Sequence, residues 1–138
     1  MAESVSEKET VSEQEWRQRL TPEQYHVLRE KGTDPRFEGK YTHPGAQGLF
    51  RCAGCGSELF LSETQFDSGS GWPSFYQPVD FENVATSEDR SRGRARTEVT
   101  CSRCGGHLGH VFDDGPAPTG KRWCMNSTSL TLDESSTG

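Results

Sequence analysis

The sequence has no long apolar run. Nowhere in its 138 residues does a hydrophobic stretch approach the roughly 18–20 residues that cross a bilayer. The opening segment, MAESVSEKETVSEQEW, has neither a basic leader nor an apolar one. These absences lead us to expect a soluble, non-exported protein of the cytoplasm with no membrane partner. Apolar residues are scarce overall, 30% of the chain, and adding the fifteen glycines still leaves the total below the usual globular share. The length suits one domain, but its core must be small, so something besides burial has to help hold it. Excess positive charge is missing as well: the formal net charge is −6, which argues against a general affinity for nucleic acid or anionic lipid.

Residues 1–11 are mostly Ser, Glu, Lys and Thr and read as a disordered tail. The single domain is expected over 12–133, with a frayed C-terminus at 134–138. A helix is signalled at TPEQYHVLREKG, with Thr21 as N-cap, Pro22 in the first turn, Gln24 completing a capping box and Gly32 at the stop. SEQEWRQRL, just before it, reads as a second short helix. Beyond Gly32 the texture changes to short β-type runs cut by Gly, Pro, Asp and Ser: LFRC, ELFLS, SFYQPV, ENVATS, ARTEVTC, HLGHVF, RWCMN and SLTLD. Their spacing predicts an antiparallel, mainly β domain rather than βαβ units.

Four of the five cysteines come as near-copies, CAGCG and CSRCG, which place Cys52 with Cys55 and Cys101 with Cys104. Each pair has knuckle spacing, with a glycine after the second thiol where the turn needs positive φ. Four thiolates suit one tetrahedral zinc in a closed, structural site. Such a metal also answers the small-core problem, because binding it supplies folding free energy. The alternatives are a pair of redox-active motifs, which lack the helix start that lowers a thiol pKa, and iron in place of zinc.

Cys124 has no cysteine partner nearby. If RWCMN is a strand, Arg122, Cys124 and Asn126 share one face, and Trp123 and Met125 the other. A guanidinium beside the thiol favours the reactive thiolate, whereas the bland alternative is a buried cysteine acting as a small hydrophobe. GGHLGHVFDDGP tethers His107 and His110 close behind the second knuckle. They are candidates for replacement metal ligands, for satisfied structural histidines, or for acid and hydrogen-bond donor roles beside a sulfur nucleophile. In FDSGSGWPSF a tight loop presents Trp72, which on its own reads as a core aromatic.

Together these stretches resemble the B-type methionine sulfoxide reductases, which reduce the R epimer of methionine sulfoxide. The two C-x-x-C pairs, GWPSFY, HLGHVFDDGP and RWCMNS carry the resemblance over roughly residues 16–132. It implies two antiparallel sheets stapled by a structural zinc remote from the active cysteine. It also implies Cys124 as nucleophile, Trp72 as the wall receiving the sulfoxide methyl, and His107, His110 and Asn126 as the polar groups around the sulfoxide. The expected partner is protein-bound methionine-R-sulfoxide, with the protein working as a monomer. Many members carry a tyrosine where this chain has Trp123, which bears on local packing. Many also carry a resolving cysteine before Gly-Trp-Pro, where this chain has Ser70. Regeneration of Cys124 is therefore expected to need thioredoxin, glutaredoxin or a small thiol. Two rivals remain: a binding module on the same scaffold with a structural Cys124, and a zinc-ribbon nucleic-acid binder resting on DRSRGRAR. That run is flanked by Glu88, Asp89 and Glu98 and reads better as a solvated hairpin.

Overall fold

Thr21 starts a short helix in the way its neighbours dictate. Its hydroxyl accepts the Gln24 N–H at 3.1 Å, and the Gln24 side chain accepts the Thr21 N–H at 3.0 Å. This reciprocal box opens α2 (Pro22–Glu30), with α1 (Glu13–Arg19) before it. Helix α2 ends at Lys31, which is left-handed at φ 60. Gly32 follows, with the exposed His26 ring lying over it where a Cβ would be 2.2 Å away. The computed structural model describes residues 13–35, 37–45, 47–90 and 95–134. The expected tail at 1–11, the arginines at 92 and 94 and residues 135–138 lie outside them.

Among the described residues nine strands follow, in two antiparallel sheets. They are β1 (Gly48–Cys52), β2 (Glu58–Leu61), β3 (Gln65–Phe66), β4 (Ser74–Phe75), β5 (Val84–Asp89), β6 (Arg96–Cys101), β7 (His107–Phe112), β8 (Arg122–Met125) and β9 (Leu130–Glu134). The smaller sheet has the order β2-β1-β9 and the larger β3-β4-β8-β7-β6-β5. The run at 74–79 keeps only two strand residues, because Tyr76 and Val79 turn their N–H groups to Thr64 and Leu59 and Pro78 has none to give. β3 is a two-residue strand with no sequence signal of its own.

The small core is aromatic. Phe60 stacks on Phe75 with ring centroids 4.4 Å apart, Phe50 meets Phe75 edge-on at 5.3 Å, and Trp123 leans on Phe60 at 6.4 Å. Phe50, Phe60 and Phe75 come from β1, β2 and β4, so the packing joins the two sheets. Truncating any one of them to alanine should cost about 3–5 kcal/mol. Trp123 fits this layer, but its indole N–H has no hydrogen-bond partner among the described residues. Trp72 is not in the core, which corrects the reading of that residue taken alone.

Candidate active site and metal centre

Cys52 ends β1 in one sheet and Cys101 ends β6 in the other, so the two knuckles meet where the sheets are joined. In each, a glycine takes the positive φ that closes the turn, Gly56 at 82° and Gly105 at 76°. Each glycine returns its N–H to the carbonyl of the first cysteine at 2.8 Å. The four sulfurs lie within 4.8 Å of one another, with Cys52–Cys104 at 3.7 Å and Cys55–Cys101 at 3.5 Å. Four thiolates around zinc at a Zn–S distance of about 2.3 Å would sit about 3.8 Å apart, so the set fits a tetrahedral thiolate-bound ion. Trp16 covers the cluster and Arg29 donates to the Cys104 carbonyl at 3.0 Å. Neither knuckle stands at a helix start, and neither histidine of the HLGH stretch belongs to the cluster.

Cys124 lies in a separate place, in a row that runs across the larger sheet. Glu98 on β6 pairs with His110 on β7, His110 with Cys124 on β8, and Cys124 with Ser74 on β4. Residues directly opposite in antiparallel strands share a face with their Cβ atoms about 4.5–5.5 Å apart. The imidazole of His110 and the thiol are therefore neighbours by register. Ser70 approaches from the Gly69–Trp72 loop, its Oγ 3.8 Å from Cys124 Sγ, and it sits in a hydroxyl cluster with Ser68 and Ser74.

His107 and His110 are three residues apart and would point to opposite faces of a regular strand. A β-bulge prevents this. Val99 pairs with Gly109 and Thr100 with His107, so Leu108 is an extra residue that resets the alternation. The rings pack edge to face at 5.4 Å. His110 lines a cavity of about 310 Å³ together with Trp72, Phe112, Arg122, Cys124 and Asn126, at the small end of ligand pockets. His107 is buried behind it, 2% exposed, and is not part of the lining.

Sequence reasoning missed the residues that hold these groups. Asp89 and Glu98 are not a solvated flank but buried acids: His110 Nε2 is 2.8 Å from Asp89 Oδ2 and His107 Nδ1 is 2.8 Å from Glu98 Oε2. Asp34 is a second missed hub. Its carbonyl accepts the Trp72 indole N–H at 2.9 Å, its N–H donates to Asn126 Oδ1 at 2.9 Å, and its carboxylate holds Thr128. The Asn126 amide donates to the Leu108 carbonyl at 3.2 Å, so the bulge and Asn126 brace each other. Nothing local in the sequence marks Asp89, Glu98 or Asp34 as buried.

Burial pushes the Cys124 thiol above its ordinary 9.0, against smaller opposing effects of Ser70, Arg122 and Ser74. Arg122 is the expected neighbour, but its guanidinium is shared with Asp114 at 2.9 Å and lies over the Phe112 ring at 4.5 Å. Burial likewise lowers both imidazoles below 6.5, opposed by their bonds to Glu98 and Asp89. Burial thus favours the uncharged form of both the thiol and the imidazole, against the thiolate that Arg122 alone would favour.

The SelR domain model matches residues 20–134. A peptide methionine sulfoxide reductase MsrB of Methanosarcina barkeri is 56% identical over 132 residues, which is 96% of this chain and 91% of that protein. The MsrB of Agrobacterium fabrum is 50% identical over 133 residues, 96% of this chain and 98% of its own. The mitochondrial methionine-R-sulfoxide reductase B3 of Mus musculus is 57% identical over 121 residues, 88% of this chain and 48% of its own length. With one family model spanning most of the chain and such relatives covering it nearly end to end, the chain belongs to the SelR family of B-type methionine sulfoxide reductases.

Proposed function

We propose that this enzyme reduces the R epimer of methionine sulfoxide, mainly in proteins, through a sulfenic acid on Cys124, and so repairs oxidised proteins. The observation that supports it most is the register pairing of His110 with Cys124 at the wall of a cavity large enough for one side chain. A sulfoxide has a positive sulfur and a negative oxygen, so a sulfur nucleophile can attack only if charge growing on oxygen is relieved. The thiol and neutral imidazole supply that relief in balance. Neutral His110 takes the Cys124 proton as sulfur attacks sulfur, and the same proton passes to the oxygen that is transferred. Cys124–SH and the sulfoxide become Cys124–SOH and methionine, with no acid drawn from solution.

Trp72 is the proposed wall for the sulfoxide methyl, with its indole N–H tied to Asp34. An apolar methyl on one side and hydrogen-bonding groups on the other would orient one epimer for attack. Asn126 lines the cavity as a polar group beside the sulfoxide while bracing the bulge, and His107 acts from behind on the His110 ring. An external thiol, whether thioredoxin, glutaredoxin or a small thiol, then attacks Cys124–SOH, releases water and leaves a mixed disulfide that a second thiol reduces. Ser70 supports this route, because a hydroxyl cannot act as the internal resolving group.

Cys52, Cys55, Cys101 and Cys104 are proposed to hold one structural zinc, which when bound would cross-link the two sheets. Five free cysteines fit a reducing compartment, and we place the enzyme in the cytoplasm as a monomer built on one domain, residues 12–133. An epimer-resolved reduction assay tests the reading. Cys124→Ser should abolish reduction of the R epimer with unchanged metal content and thermal unfolding; residual turnover would remove Cys124 from its role.

A further inference from the structure

The β5–β6 hairpin carries buried charges for which the reaction above has no use. Asp89 pairs with Arg96 and Ser87 with Glu98, so both acids face the histidines from the β6 side of β7, while Cys124 faces them from β8. Asp89 is 4% exposed and Glu98 8%. Each gives one oxygen to an imidazole at 2.8 Å. Their other oxygens share one cation, Lys31, whose Nζ is 3.3 Å from Glu98 Oε1 and 3.8 Å from Asp89 Oδ1. Arg96 adds its guanidinium 3.5 Å from Asp89 Oδ2. Among the described residues, two acids and two cations thus close over the imidazole pair.

Stability alone explains such a cluster poorly, because desolvating buried ions often offsets their attraction. Geometry explains it better. An ionised carboxylate only accepts hydrogen bonds, so the nitrogen facing it must carry the proton. In a neutral ring the other nitrogen is then bare and basic. Asp89 accordingly leaves His110 with Nδ1 free, and Glu98 leaves His107 with Nε2 free. A ring in the opposite tautomer would have no lone pair for the thiol proton on the nitrogen that needs it.

We propose that Asp89 and Glu98 are the positioning residues of the proton shuttle, Asp89 locking His110 with its proton on Nε2, and that Lys31, at the end of α2, holds the two carboxylates in place. The inference rests on the reduction proposed above. It sets a tautomer, however, that can be measured without turnover.

The test is Asp89→Asn in the full-length, metal-loaded protein. The amide keeps the shape of the acid but can turn its NH₂ toward His110 and stabilise the Nδ1–H form. Nitrogen-15 shifts of His110 should report Nε2–H in the unmodified enzyme and a shift toward Nδ1–H in the variant. The variant's kcat should fall at least tenfold while KM stays within about twofold, as for outer-shell carboxylates that orient a histidine. The acidic limb of its pH profile should also move, because Lys31, Arg96, Glu98 and His107 remain around the ring while the charge of Asp89 is gone. Asp89→Glu, which restores the carboxylate, should recover part of the rate. An unchanged kcat, or a His110 that stays Nε2–H in the variant, would overturn the proposal. If Asp89→Asn does not fold, the unmodified protein still decides, since a resting His110 protonated on Nδ1 contradicts the assignment. If the unmodified enzyme does not reduce methionine-R-sulfoxide at all, the functional reading fails while the tautomer result stands on its own.

Discussion

Ser70 stands where an internal resolving thiol would have to be, and Ser70→Cys tests whether its absence sets the catalytic cycle. Ser70 Oγ lies 3.8 Å from Cys124 Sγ. Disulfide sulfurs sit about 2.05 Å apart, so a thiol in place of that hydroxyl has less than about 2 Å to close. Gly69 at φ 74 and Gly71 at φ 96 flank it, giving the loop backbone freedom that residues with Cβ atoms would lack. The bond would join positions 54 apart in sequence, and a loop of that size is worth about 4 kcal/mol in the chain-entropy account. Losing the hydroxyl's bonds to Ser68 and the Trp72 N–H costs about 1–2 kcal/mol in exchange. The oxidised variant should therefore be more stable than the unmodified protein by about 2–3 kcal/mol, with a Tm roughly 10 °C higher. In a single turnover without reductant, both proteins should form about one methionine per chain, the stoichiometry of one oxygen accepted by one thiol. A sulfenic-acid trapping reagent should label Cys124 in the unmodified enzyme and not in the variant, where peptide mapping should find the 70–124 disulfide. Equal labelling and no gain in Tm would refute the claim that Ser70 alone separates the two cycles. A disulfide between Cys124 and a knuckle cysteine in the unmodified enzyme would show instead that the metal thiols take part in turnover.

Four further outcomes follow from the site. Cys52→Ser should lose metal and fold together, because thiolate–zinc binding of about 10–16 kcal/mol is comparable to the whole stability of a domain; elemental analysis beside circular dichroism checks this, and a folded, metal-free variant would exclude a structural role. The pH profile should show a plateau from below 6.5, where His110 becomes protonated and can no longer accept, to above 9.0, where Cys124 loses the proton it must deliver. Iodoacetamide should likewise alkylate resting Cys124 slowly until the pH passes 9.0, and fast alkylation at pH 7 would favour a thiolate ground state. Trp72→Ala should lower kcat/KM for the R epimer about 10–200-fold, the range of a lost apolar pocket contact, and reduce discrimination against the S epimer. Retained discrimination would take Trp72 out of the methyl wall.

What was legible in the sequence was local. The capping box at Thr21, the two knuckles and the alternation through RWCMN each rest on residues a few positions apart, and each recurs in the structure as read. Arg122 does favour the Cys124 thiolate, as its place in the sequence suggests, but the burial that outweighs it and the Asp114 carboxylate that shares its guanidinium come from elsewhere in the fold. The acidic flank of DRSRGRAR was misjudged for the same reason. An exposed hairpin and a buried charge cluster share one sequence pattern until the pairing of β5, β6 and β7 turns Asp89 and Glu98 toward the histidines.

The bulge at Leu108 shows how one inserted residue links fold to chemistry. Without it, the period of two along β7 would send His107 and His110 to opposite faces. Inserting Leu108 puts a side chain with no exposure into the core, while its carbonyl accepts the Asn126 backbone N–H at 2.9 Å together with the Asn126 amide and the Ser129 hydroxyl. The same step that brings the two imidazoles together therefore ties their strand to the segment just after Cys124. HLGH is in this sense a three-dimensional motif. The leucine anchors the bulge in the core. Gly109 lets β8 approach, since a Cβ there would lie 2.1 Å from the Cys124 carbonyl oxygen. The histidines take the face that the bulge assigns them. Gly109→Ala should accordingly impair the site through the backbone of Cys124 itself, separating the strands at the pair where thiol and imidazole must meet.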